Sequence, residues 1–280
     1  LALLSLCRPL VLAQESTRIA GPFTQVYATI DSIALKAHVF RPKEPPPEKP
    51  LPAIVLFHGG GWTIGEAEWA FDRAQRFAEL GMVAVAAQYR LSNQSTITPL
   101  EAMADARAVI RWMRSKAAEL GIDPKRIAAY GWSAGGHLAV SAAIFDGSTS
   151  HRTISAAPNA LILISPAVHL ENDGWVQRLL GSHASVSAIS PAAHVRRGLP
   201  PTLVLQGSED TVTPLAGAWL FCERMRAAGN RCDLQVYRGV GHLFTPAGIR
   251  DDGWPQPDPA VQAEASRKAE EFLVTLGFIK

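Results

Sequence analysis

The run Gly131-Trp132-Ser133-Ala134-Gly135-Gly136 sets a serine at the apex of a Gly-x-Ser-x-Gly spacing. An apolar stretch at 126–130 precedes it and a helix-prone stretch at 137–144 follows it, which predicts strand, sharp turn and helix. In such a turn a side chain two residues from the serine would clash, so glycines flank it. The hydroxyl is exposed for nucleophilic attack, and the following helix aims its positive end at the same point. The backbone N–H of Ala134 is then free to bind a negative oxygen. A second motif, His58-Gly59-Gly60-Gly61-Trp62, ends the apolar run 53–57, a predicted buried strand. Consecutive glycines let a backbone approach a ligand closely and turn its N–H groups inward. Gly60 and Gly61 are therefore expected to join Ala134 as donors to a tetrahedral oxyanion in acyl transfer. His58 lies on this loop and is expected to order it by hydrogen bonding rather than to act as a base.

A serine hydroxyl is a weak nucleophile and needs a base, which in turn needs an acid to orient it. The predicted strand 201–206 is followed by Gly207-Ser208-Glu209-Asp210-Thr211-Val212-Thr213-Pro214, and the predicted strand 234–237 by Gly239-Val240-Gly241-His242. Both place a polar residue on a loop beyond a strand's carboxyl end, where open α/β sheets build their sites. Asp210 is taken as the acid and His242 as the base. Glu209 is the rival acid, with solvated loop residue as its other reading. The chain order is serine, acid, histidine.

The elements that must position these groups alternate. The segments 23–30 and 33–40 flank Asp31-Ser32 and predict an antiparallel hairpin. Later strands centre on Ile54, Val83, Ile127, Leu161, Leu203 and Val236. Helical stretches at 69–80, 100–120, 137–144, 215–228 and 260–276 separate or follow them. In the second of these Ala102, Ala106, Val109, Ile110 and Met113 recur at helical spacing, a core-facing stripe. The alternation implies a mostly parallel sheet covered by helices on both faces. The segment 166–199 interrupts it. It looks polar, has few strand signals and contains a short helical run at 175–180, so a small cap over the pocket is expected there.

The chain has 280 residues, with 27 basic and 25 acidic side chains and a net charge of +2. One domain of this size can bury a large core. With no basic run, nothing points to nucleic acid or an anionic membrane surface. No repeat is present, and the proline-rich patch 42–52 reads as a loop between strands. No Cys/His cluster has metal-ligand spacing, so neither metal nor cofactor is expected. Residues 1–13 are apolar, too short to span a bilayer, and end Val11-Leu12-Ala13, which fits a truncated secretory signal ahead of a domain at 14–280. Cys7 lacks the preceding small residue of a lipoprotein signal, so no lipid anchor is expected. Cys222 and Cys232 flank one helix-to-strand turn. In an oxidising compartment they would form a disulfide; two separate buried thiols is the alternative.

Taken together, these motifs resemble the α/β-hydrolase esterases of the hormone-sensitive-lipase and feruloyl/acetyl-esterase type. The resemblance runs from about Phe23 to the C-terminus. It rests on His58 to Trp62, on Gly121-Ile122-Asp123-Pro124-Lys125-Arg126-Ile127, on Gly131 to His137, on Asp210 with Pro214, and on Gly241-His242. The hormone-sensitive-lipase subgroup carries Asp before the serine, where this chain has Trp132. The closer likeness is to secreted, mostly bacterial esterases for feruloyl, acetyl and other short-acyl carbohydrate esters.

The resemblance implies an α/β-hydrolase fold and an ester substrate, either a small molecule or one linked to carbohydrate. Trp62 and Trp132 flank the nucleophile and are candidate walls of the pocket. A lipase-like pocket, in which Trp175, Leu179 and Leu180 line an acyl groove, is the first alternative. A peptidase of the same fold is the second. A catalytically dead binding protein would be expected to lack a triad residue, and none is missing.

Overall fold

The uninterrupted apolar runs form the middle of one eight-stranded sheet, because a strand covered on both faces has no exposed side to make polar. In the computed structural model, residues 22–43, 49–92, 96–146, 154–249 and 254–280 are described. The apolar stretch 1–13 and Cys7 lie outside them, as does the centre of the proline-rich patch.

The strands are β1 (Phe23–Ile30), β2 (Ile33–Phe40), β3 (Leu51–Phe57), β4 (Val83–Ala87), β5 (Ile122–Trp132), β6 (Ala160–Ile164), β7 (Thr202–Gly207) and β8 (Cys232–Tyr237). Their order across the sheet is β1-β2-β4-β3-β5-β6-β7-β8. Strands β1 and β2 pair antiparallel, as do β2 and β4, and every later pair is parallel. Asp31 and Ser32 both take positive φ, the turn geometry that matches the twist of a two-residue hairpin. In β4 and β6 every residue is buried, as the lack of alternation requires.

Helices α1 (Phe71–Glu79), α2 (Pro99–Ser115), α3 (Ala117–Leu120), α4 (Ala134–Ile144), α5 (Gly174–Leu180), α6 (Val186–Ile189), α7 (Leu215–Ala227) and α8 (Pro259–Thr275) complete the domain. On one face of the sheet α1 and α8 bury Phe77, Phe272 and Leu273. On the other, α2, α4 and α7 bury Val109, Leu138 and Phe221. The predicted stripe on α2 is buried throughout. The stretch read as one helix over 100–120 divides at Lys116, and α2 starts a residue earlier, at Pro99 behind a Thr98–Glu101 capping box. The stretch 69–80 likewise begins as a 3₁₀ turn before α1.

The segment 166–199 departs from the polar cap expected of it. Val168, Leu170, Val176, Leu179, Leu180, Val186, Ile189 and Ala192 are buried and continuous with the core under α2, α4 and α7. On α5, residues 176, 179 and 180 stand at helical spacing, so one short face closes onto the domain. Cys222 and Cys232, both buried, are joined as a disulfide between α7 and the first residue of β8.

Candidate active site

Five loops meet at the carboxyl ends of the parallel strands. The first follows β3 and carries Gly60 and Gly61. The turn after β5 carries Ser133, and Ser165 follows β6. Asp210 lies beyond β7 and His242 beyond β8.

Ser133 sits at φ 53°, ψ −122°, a conformation rare for any residue with a side chain. The turn is so tight that a Cβ on Gly131 would strike the carbonyl of Gly135, and one on Gly135 the carbonyls of Phe57 and His58. The serine hydroxyl lies 3.0 Å from His242 Nε2, placed to give that nitrogen its proton. His242 Nδ1 donates to Asp210 Oδ2 at 3.0 Å. All three residues are buried.

Asp210 is held by several donors. Its Oδ1 accepts from the N–H groups of Val212 at 3.0 Å and Thr213 at 2.7 Å. Its Oδ2 accepts from Gln206 Nε2 at 2.8 Å. Burial opposes the charge, but the bonds from His242 and Thr213 outweigh it and hold the carboxyl below the usual carboxylate range. Glu209 faces solvent, and its carboxylate accepts from Ser208. The rival acid is thus placed away from the histidine.

Two residues that the sequence did not single out tie the acid and base loops together. Thr213 Oγ1 lies 2.9 Å from Asp210 Oδ2 and 3.0 Å from the Ser165 carbonyl, sharing one proton between them. Ser165 Oγ accepts from the N–H of Leu243, the residue after the base. Leu243 and Phe244 both have positive φ, which is costly for bulky side chains, so this bond helps to fix a strained turn. Thr213 had a local signal, an aspartate followed three residues on by a threonine and four on by a proline, the composition of an Asx turn. Ser165 had none, because its partners are remote in sequence.

On the opposite side, Gly60 takes φ 104°, and its carbonyl closes a turn by accepting from Thr63 and Ile64. A Cβ there would collide with the Ile64 carbonyl. Among the described residues no acceptor meets the N–H groups of Gly60, Gly61 or Ala134, and all three residues line the cavity at the serine. Trp175 Nε1 donates to the Gly61 carbonyl at 3.3 Å, so the 166–199 segment braces this loop.

His58 is not near the serine–histidine pair. Its Nδ1 donates to the Gly59 carbonyl at 2.7 Å, and its ring stacks on Tyr89 with centroids 4.3 Å apart. Burial pushes its pKa down to about 4. His137, on α4 behind the nucleophile, is pushed down to about 4 for the same reason, and its Nε2 donates to the Ile189 carbonyl at 2.8 Å.

The cavity over Ser133 has a volume of 600 Å³. Five of the chain's seven tryptophans line it: Trp62, Trp69, Trp132, Trp175 and Trp254. Trp62 lines it while nearly fully buried against His137, whereas Trp69, Trp175 and Trp254 stand exposed at the rim. Leu179 and Leu180 do not reach the cavity, so of the acyl groove considered from sequence only Trp175 is in place. Among the described residues no cluster of His, Cys, Asp and Glu could hold a metal ion. No described helix is long and apolar enough to cross a membrane.

Residues 54–246 match the protein family described as alpha/beta hydrolase fold. Esterase LipC of Mycobacterium tuberculosis is 29% identical over 236 residues, covering 76% of this chain and 58% of that protein. The chain spans about half the length of the curated relatives it matches. Among solved structures, esterase 2 of Thermogutta terrifontis phosphoramylated by tabun is 37% identical, with a TM-score of 0.81 over 93% of this chain and 97% of that one. The same esterase with propionate bound is 36% identical, with a TM-score of 0.81 over 94% and 97%.

Proposed function

Because this chain belongs to the α/β-hydrolase family, we propose that it is a serine carboxylic-ester hydrolase for short-acyl esters, with acetyl or feruloyl esters of carbohydrates as the substrate class. The observation that carries this reading is the relay from Ser133 Oγ through His242 to Asp210, two contacts of 3.0 Å opening on one cavity. His242 takes the serine proton as Oγ attacks the ester carbonyl. Asp210 keeps the imidazole in the tautomer that leaves Nε2 free to accept, and stabilises the imidazolium that forms. The N–H groups of Gly60, Gly61 and Ala134 receive the oxyanion, aided by the N-terminus of α4. His242 then protonates the departing alkoxide, and water repeats the cycle on the acyl-enzyme.

The short-acyl preference draws support from Leu179 and Leu180, which are committed to the core and leave α5 no apolar groove to offer a long chain. The propionate held by the Thermogutta esterase points the same way for that relative. Export of the protein is part of the same proposal, and the Cys222–Cys232 bond favours an oxidising compartment.

A fluorophosphonate probe should label the protein at Ser133, and Ser133→Ala should abolish labelling and lower kcat on p-nitrophenyl acetate by about 10⁴-fold or more. Retained hydrolysis in a folded Ser133→Ala protein would refute the mechanism. Across the p-nitrophenyl ester series kcat/KM should peak between acetyl and butyryl, and a maximum at decanoyl would overturn the short-acyl reading.

A further inference from the structure

A second cavity, of 610 Å³, adjoins the one over Ser133, and the two share Trp69, Trp132, Leu243 and Pro255 as a common wall. Leu243 directly follows His242, the group that would protonate the leaving alkoxide, and Phe244 continues into the second chamber. The chamber is therefore reached from the serine past the two residues that follow the base. Its far end is made by α1 and α8 and carries the polar groups Asp72, Arg73, Gln262 and Ser266 beside Ala263 and Ala265; Trp69 and Trp132 line it as well, while Tyr130 is buried with Arg73 over its ring.

Asp72 and Gln262 offer side chains for binding, whereas Ser266 is spent on the fold, its Oγ donating to the Gln262 carbonyl and accepting from Arg73. Asp72 is exposed and has no side-chain partner among the described residues, and Gln262 is exposed beside it on α8. Arg73 gives Ser266 Oγ one N–H at 2.6 Å, and its guanidinium lies 5.8 Å from the centre of the Tyr130 ring. A guanidinium has five donors, so others remain for a ligand. Planar carboxylate, amide and guanidinium groups match pairs of neighbouring hydroxyls. Flat aromatic faces match the C–H face of a sugar ring. A fatty chain would instead strip water from Asp72 and Arg73 without replacing its hydrogen bonds.

We propose that this chamber is a remote subsite for the alcohol part of the substrate, and that it takes sugar units beyond the one bearing the ester. This rests on the esterase reading of Ser133, and it makes an acylated oligosaccharide, rather than an acylated monosaccharide, the preferred substrate. Binding tests it apart from turnover. Calorimetric titration of the full-length Ser133→Ala protein with acetylated xylose and acetylated xylotetraose should give a Kd about tenfold lower for the tetraose. The double variant Asp72→Asn, Gln262→Ala, made in the same background and checked for native circular dichroism, should lose that gain. Equal affinities, or a gain that survives the double substitution, would overturn the subsite. Displacement of the tetraose by decanoate would assign the chamber to acyl chains and overturn it as well. If the tetraose binds as expected but the unmodified enzyme cleaves no ester, the esterase reading fails while the subsite stands.

Discussion

The two sides of the candidate site are held by different means. On the side of Ser133 and Gly60, the backbone does the positioning: tight turns, positive φ and close approaches that leave no space for a Cβ. On the side of Asp210 and His242 the backbone is tight as well, with Gly207 against the Val240 and Gly241 carbonyls and positive φ at Leu243 and Phe244, but side-chain hydrogen bonds through Thr213, Gln206 and Ser165 are added to it. Both sides would fail when an atom is added, and the second fails also when a polar atom is removed. The division follows the chemistry. An oxyanion is met by main-chain N–H groups, which only the path of the backbone can aim. A proton relay needs a fixed imidazole, and an imidazole is fixed by what its other nitrogen touches.

The comparison is broken most forcefully at the acid. Asp210→Asn should lower kcat by about 10⁴-fold, because the amide no longer enforces the productive tautomer. Glu209→Gln should leave kcat within about twofold, since a surface substitution removes no contact to His242. Steady-state kinetics on p-nitrophenyl acetate separates the two, and a reversed ranking would move the acid to Glu209.

On the backbone side, Gly135→Ala should cost about 3 kcal/mol of stability by forcing a Cβ into the Phe57 and His58 carbonyls. A thermal melt close to that of the parent protein would show that β3 can retreat from α4, and that this side is less rigid than its contacts imply.

Ser165→Ala and Thr213→Val sharpen the picture of the other side. Each should reduce kcat by about tenfold to a hundredfold with little change in KM, because misplacement of the base affects the transition state more than binding. The double variant should be less than additive, since both substitutions release the same pair of loops. Additive losses would mean that the two hydroxyls act independently.

The last test concerns acid and reads stability rather than turnover. His58 and His137 have pKa values near 4 in the folded protein against 6.5 for an ordinary histidine. Protons then bind the unfolded chain more readily, so the stability that these neutral rings contribute is complete above 6.5 and is lost as pH falls through 4. Each contributes about 3 kcal/mol at most by linkage. Asp210, also depressed, adds a loss at still lower pH. Urea midpoints should decline between about pH 7 and pH 4, and a flat profile would mean that both rings reach solvent when protonated.

Much of this arrangement was legible in the sequence. The elbow, the glycine loop, Asp210 and His242 are each local patterns, set within a few residues by what their chemistry demands. The alternation of strands and helices was legible for the same reason, because apolar runs report burial directly. What escaped was set by distance. Ser165 and Thr213 are 48 positions apart, and the polar end of the second chamber joins Arg73 to Ser266 across 193. The segment 166–199 was misjudged because its buried face spans barely one turn of α5, too short for a period to stand out among polar neighbours.

The backbone of Ser133 carries one further consequence. Its φ of 53° at ψ −122° lies where glycine is at ease and serine is not, a penalty of about 1–3 kcal/mol. Glycine at this position would relax the turn and erase the proposed nucleophile. On the proposed reading, a serine at this point trades fold durability for turnover. A Ser133→Gly protein would then be sturdier than its parent and lack the hydroxyl on which the proposed hydrolysis depends.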